Sequence, residues 1–122
     1  MIEFIALALA TPAPDKPHAH QIEVIAQRLD TWRARVKNRK GVLSCDITAS
    51  TGDTEIDQIG CDALVGCTLA IKPQLDATAA LDLPRKERDS RLTALMEAQG
   101  PCIIERREIA IDALAQKRAD AL

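Results

Sequence analysis

The sequence predicts an α+β domain: a small antiparallel hairpin or sheet near the N-terminus, followed by three to four helices and stapled by disulfides. Three observations carry this. Residues 32–36 and 42–48 alternate apolar and polar, the period of a half-buried strand. From residue 53 onward apolar residues recur at helical spacing, interrupted by Pro73, Pro84 and Gly100-Pro101. The chain also holds an even number of cysteines, four, a count that in a short exported protein implies two disulfides.

At 122 residues the chain has the size of one domain. Its apolar residues are almost all aliphatic, with Trp32 and Phe4 as the only aromatics. The net charge of −2 and the lack of aromatic platforms argue against nucleic acid as a partner. No cofactor is implied.

The opening run Met1–Ala10 ends in Ala8-Leu9-Ala10, the small-x-small pattern of a signal-peptidase site. It is too short to span a bilayer, and it lacks a basic start, so residues 1–10 read as a truncated signal peptide. Residues 11–20, Pro-rich at the start, read as a tether. Residues 21–122 then form a single globular domain. The expected location is the periplasm, with the cytoplasm as the alternative. In that alternative the cysteines are buried free thiols or metal ligands.

Two readings compete for residues 21–40. As a helix, Ile22, Ile25, Leu29, Trp32 and Val36 form one stripe with Gly41 as the stop. As strands, Ile22–Ile25 is β-branched, and Trp32, Ala34 and Val36 alternate with Arg33, Arg35 and Lys37. Asn38–Gly41 would then be the turn of a hairpin. Val42–Thr48 puts Leu43, Cys45 and Ile47 on one face and needs a partner for its backbone groups. Residues 32–36 are the nearest candidate, which favours the hairpin with Trp32 buried and Arg33 and Arg35 facing solvent.

Further on, Ser50–Asp53 reads as a turn, and Thr54–Asp57 as a helix start with its acids at the positive end of the dipole. Ile56, Ile59, Ala63, Leu64 and Cys67 make the buried stripe of that helix, which Pro73 ends or kinks. A short helix carrying Leu75 and Leu81 ends at Pro84. A third runs from Arg85 to Gln99 with Leu92, Leu95 and Met96 facing in, closed by Gly100-Pro101. The last starts at Cys102, with Ile103, Ile104, Ile111 and Leu114 apolar.

Sites for chemistry are sparse. Asp53, Glu55 and Asp57 have the first acidic positions of a calcium loop, but Gln58 and Leu64 stand where Gly and Glu are required. His18 and His20, the only histidines, adjoin the tether, and the cysteines lack paired C-x2-C spacing. Gly52 and Gly60 form no phosphate loop, and Ser44, Ser50 and Ser90 no nucleophile elbow. The sequence therefore predicts a non-enzymatic protein. Charge is segregated: Arg28, Arg33, Arg35, Lys37, Arg39 and Lys40 lie in one run, and Asp46, Asp53, Glu55, Asp57 and Asp62 in the next. The plain expectation is two neighbouring solvated faces that attract each other. The sharper one makes Arg33, Arg35, Lys37, Arg39 and Lys40 a docking face for another envelope protein.

The segment Gly41–Asp62, GVLSCDITASTGDTEIDQIGCD, resembles part of the TonB C-terminal family. In the cysteine-bearing proteobacterial variants a strand ends C-x-I/V-T-x-S-S/T-G, and the next helix carries L/I-D-x3-C. Cys45, Ile47, Thr48, Ser50, Thr51, Gly52, Ile56, Asp57 and Cys61 match, and Lys72-Pro73 matches a basic residue and Pro that often follow. The wider pattern is similar to small exported cysteine-containing proteobacterial proteins, a resemblance that implies no activity. The TonB resemblance makes a module contacting an outer-membrane receptor the alternative function.

It also bears on the cysteines. Cys61 and Cys67 are six residues apart on one helix, about 9 Å at 1.5 Å per residue, beyond the roughly 7 Å a disulfide spans. Two pairings remain, Cys45 joining either Cys61 or Cys67. The resembling proteins hold a cysteine pair at the separation of Cys45 and Cys61, which implies Cys45–Cys61 and leaves Cys67 to meet Cys102.

Overall fold

The computed structural model describes residues 16–122; the expected signal peptide and the first half of the expected tether lie outside them. Helix α1 spans Pro17–Leu29, strands β1 and β2 span Arg33–Arg39 and Val42–Ala49, and four helices follow: α2 Thr54–Ala70, α3 Lys72–Ala79, α4 Arg85–Glu97 and α5 Gly100–Asp120. A two-stranded antiparallel sheet thus precedes four helices, and both the helix and the strand readings of residues 21–40 hold for one part each.

The helical part is α1, which corrects the strand reading of Ile22–Ile25 and begins at Pro17, within the residues expected as tether. Proline suits the first helical turn, where its missing N–H would have no intrahelical partner. Ile22, Ile25 and Leu29 then face the core. After Leu29 the Asp30-Thr31 turn breaks the stripe, although Trp32 and Val36 continue its spacing. Leaving the helix there lets the next residues pair with β2, whose ladder no other segment supplies among the described residues.

The hairpin turns on two residues, Lys40 at φ 54° and Gly41 at φ 83°. Positive φ at both centres matches the right-handed twist of the flanking strands, and the Asn38 side-chain oxygen accepts the Gly41 N–H at 3.0 Å. The register pairs Val36 with Cys45 and Asn38 with Leu43 on the inner face, and Arg35 with Asp46 and Lys37 with Ser44 on the outer. A shift between Arg33 and Ala34 leaves Thr48 unpaired. Beside this bulge Ile47 is 38% exposed, so of the expected Leu43–Cys45–Ile47 face only the first two members are even half-buried.

Asp53 caps α2, its carboxylate accepting the Glu55 and Ile56 N–H groups at 3.0 and 3.2 Å. Asp57 reaches back to accept from the Thr51 N–H and hydroxyl and from Ser50. These bonds fix the strand-to-helix corner. Ile56, Ile59, Ala63 and Cys67 are buried as the stripe predicts.

The core is shared by α1, α2 and α5 and closed by Trp32: Ile25, Leu29, Trp32, Ile56, Ile59, Leu114 and Ala115 form one cluster. Trp32 is 4% exposed, and Arg33 and Arg35 point to solvent. In α5 the chain departs from its pattern at Ile104, which is 59% exposed. Gly100-Pro101 opens α5 rather than closing α4, again a proline in a first helical turn.

Both disulfides are present, Cys45–Cys61 between β2 and α2 and Cys67–Cys102 between α2 and α5. Their Cα separations are 5.7 and 6.0 Å. No free cysteine remains, which removes the free-thiol alternative. By chain entropy the loops stabilise by about 3 and about 4 kcal/mol, the larger for the longer loop.

Candidate docking face

The basic run becomes one side of the hairpin. Strand alternation places Arg33, Arg35, Lys37 and Arg39 on the outer face, with Lys40 at its tip. One carboxylate serves this face among the described residues: Asp46, at 3.4 Å from both Arg35 and Lys37. Arg39 and Lys40 have no carboxylate partner among those residues. Arg33 is anchored at the base of the hairpin, its guanidinium donating to the carbonyls of Trp32 at 2.7 Å and Asp30 at 3.0 Å.

Of the acidic run only Asp46 answers the basic one, so the expectation of two faces attracting each other holds for that residue and is corrected for the rest. Asp53 and Glu55 turn to α5: Arg118 donates to Asp53 at 2.9 and 3.0 Å and to Glu55 at 3.1 Å, and Lys117 reaches Glu55 at 2.6 Å. Asp57 is spent on the corner before α2, and Asp62 accepts from Gln58 one turn away. The pairings show in the ionisation. Burial works against the Asp53 carboxylate, but the Ile56 N–H and Arg118 outweigh it and hold its pKa below the usual range. Hydrogen bonds from Lys117 and Arg118 lower that of Glu55. The hairpin cations are left facing solvent.

At the base of this face lies an open depression of about 360 Å³, lined by Leu29, Asp30, Trp32, Arg33, Ala34, Leu64, Ile103 and Arg107. Gly60 of α2 lies against the Trp32 indole, so close that a Cβ there would sit 2.7 Å from ring carbons. The Arg107 guanidinium lies over the ring, 5.3 Å from its centroid, a cation–π contact. Burial, and then the Arg33 charge, lower the Arg107 pKa, with Asp30 acting in the other direction. Arg107 Nε and Trp32 Nε1 are both buried without a hydrogen-bond acceptor among the described residues.

The sequence pointed to the hairpin cations and to a buried Trp32 but missed Arg107. The only signal was a cation, Arg107, on the helix that closes the core, and nothing local says that it meets Trp32.

Elsewhere the described residues hold no cluster of three His, Cys, Asp or Glu side chains placed for a metal. His18 bridges to Asp112 of α5 at 2.9 Å, joining two helices, and Cys61 and Cys67 are committed to disulfides. No described helix is long and apolar enough to cross a membrane. No protein-family model, curated protein or solved structure matches the chain.

Proposed function

We propose that this is a non-enzymatic, disulfide-stapled interaction domain of the periplasm that docks an acidic surface of another envelope protein on the outer face of its hairpin. The observation that carries the reading is the uncompensated charge: Asp46 alone answers Arg35 and Lys37, while the neighbouring acids are engaged by Arg118, Lys117 and the α2 corner. A cationic face with few internal partners speeds and orients encounter with an anionic one. Two disulfides favour an oxidising compartment.

A second reading, a TonB-like module contacting an outer-membrane receptor, draws support from Gly41–Asp62. That segment folds as a strand turning into a helix tied by Cys45–Cys61. Against it, the chain continues after Pro73 into helices α3 and α4, where the resembling family has a strand.

Capture from periplasmic extract, with the full chain as bait, tests both. A defined partner should be retained by the wild type and lost on Arg35→Glu/Arg39→Glu/Lys40→Glu, while Arg85→Glu/Arg88→Glu on α4 leaves it bound. A TonB-dependent receptor as that partner favours the second reading. Equal capture by the hairpin variant, or retention of nucleic acid alone, overturns the first.

A further inference from the structure

We infer that the depression at the base of the hairpin binds an amphiphilic monocarboxylate, the free C-terminus of a partner chain that ends in an apolar residue. This deepens the docking reading by adding a point of recognition to the basic face.

A volume of about 360 Å³ lies at the lower end of small-ligand sites, which run from about 300 to 1,000 Å³, and suits one side chain with its carboxylate. The lining is divided in the same way. Leu29, Leu64 and Ile103 offer apolar surface, and Arg33 and Arg107 bring two cations.

The site also holds donors that no described acceptor answers. A buried polar group without a partner is costly, more so when charged. Yet Arg107 makes no ion pair or hydrogen bond with any described residue, and its Nε and the Trp32 Nε1 are buried and unanswered. Trp32 packs against the guanidinium and Arg107 lines the depression, so a ligand there would meet the terminal N–H groups of its fork rather than the buried Nε. A carboxylate supplies two acceptor oxygens in the geometry that this fork prefers.

Other anions fit less well. The wall includes the C-terminal end of α1 at Leu29 and Asp30, where the helix dipole is negative. A phosphate dianion meets twice the opposition a carboxylate does, and it has no apolar body to cover Leu64 and Ile103. Asp30 adds a negative charge to the lining, and so limits the affinity of any anion.

The chain has a single Trp, so one indole N–H resonance reports on the pocket. Full-length protein is titrated with N-acetyl-leucine, N-acetyl-leucinamide and inorganic phosphate. N-acetyl-leucine should shift the indole resonance saturably in the millimolar range, and the uncharged amide should not. Arg107→Gln should weaken binding about tenfold, the scale of one lost charge-assisted hydrogen bond. Arg106→Gln, outside the lining, should leave it unchanged, and Asp30→Asn should tighten it. Should Arg107→Gln fail to fold, Asp30→Asn decides, since unaltered or weaker binding there overturns the assignment. Equal shifts with the amide, equal saturation by phosphate, or wild-type titration in Arg107→Gln also overturn it. A peptide ending in leucine, free against amidated, then separates a chain terminus from a small acid. The hairpin variants that test docking do not touch this pocket, so the two readings fail separately.

Discussion

The layer of α1, α2 and α5 and the arm of α3 and α4 are both helical, yet only the first has a core. α2 buries Ile56, Ile59, Ala63 and Cys67, and α1 and α5 meet it with Ile25, Leu29, Leu114 and Ala115. Neither α3 nor α4 buries a single residue completely. The reason lies in stripe length. In α2 apolar residues recur along the whole helix, whereas α4 opens RKERDSR and gathers Leu92, Leu95 and Met96 into its last turns. A helix is anchored by the length of face it can bury. The arm depends instead on its roots: Cys67–Cys102 spans 35 residues and encloses it, and the Thr68 hydroxyl meets Met96 sulfur at 3.9 Å. Its surface carries spaced ion pairs such as Arg91–Glu87 and Lys72–Asp76, each worth only about 0.3–0.5 kcal/mol.

The most direct way to break this contrast is to truncate one side chain in each region. Ile56 is fully buried, and Ile56→Ala should cost about 3–4 kcal/mol, within the range for core aliphatic truncations. Leu92 is half-buried on the arm, and Leu92→Ala should cost about 1 kcal/mol, a fraction of its transfer energy. Urea unfolding of the two variants measures both. Equal costs would mean that the arm shares the core.

A finer contrast lies within α2, between two glycines. A Cβ on Gly60 would sit 2.7 Å from the Trp32 ring, which is buried in the core, so the indole cannot withdraw freely. Gly60→Ala should destabilise by about 1–3 kcal/mol, as overpacking does, and shift the emission of the single tryptophan. At Gly66 the nearest atom is the flexible Arg106 guanidinium tip, at 2.5 Å. It can swing away, and Gly66→Ala should stabilise by about 0.5–1 kcal/mol through helix propensity. Thermal unfolding should therefore move in opposite directions for the two. The same direction in both would show that the indole is not wedged.

These residues also show what can be read from a sequence. The hairpin was legible because β2 required a partner and residues 33–39 alternated beside it. The boundary of α1 was not, since Trp32 and Val36 satisfy a helical spacing and a strand alternation at once. Pro17 looked like tether because a proline at a helix start and one in a linker are the same letter. Cysteine geometry removed one pairing, and the resemblance of residues 41–62 selected between the other two. The acidic run was the least legible: its partner Arg118 lies 65 residues from Asp53, and no local pattern announces it. Nor could periodicity disclose Arg107's lack of a partner, which depends on which helix covers the indole.

That distant pairing supplies the smallest effect and the one that best defines the seam between α2 and α5. Asp53 caps α2 and accepts both Arg118 contacts, and it is partly exposed. Asp53, Glu55 and Asp57 all have pKa values held below their ordinary ones. A carboxylate with a depressed folded-state pKa contributes stability above its unfolded value, and that contribution is lost as pH falls through the folded value. The seam should therefore be intact at neutral pH and weaken from about pH 4 downward, where unperturbed carboxylates take up protons. Asp53→Asn keeps an oxygen for the cap, since asparagine serves there as well as aspartate, and removes the charge that Arg118 reads. Its cost at pH 7 should be about 0.5–1 kcal/mol, the scale of a partly exposed ion pair. As pH falls through the depressed Asp53 value the variant and the wild type should converge, because protonation then neutralises Asp53. Urea midpoints measured from pH 7 to pH 3 follow that convergence. Parallel curves would mean that the Asp53 charge does not hold α2 against α5, and that the core of the molecule is joined there by its apolar contacts alone.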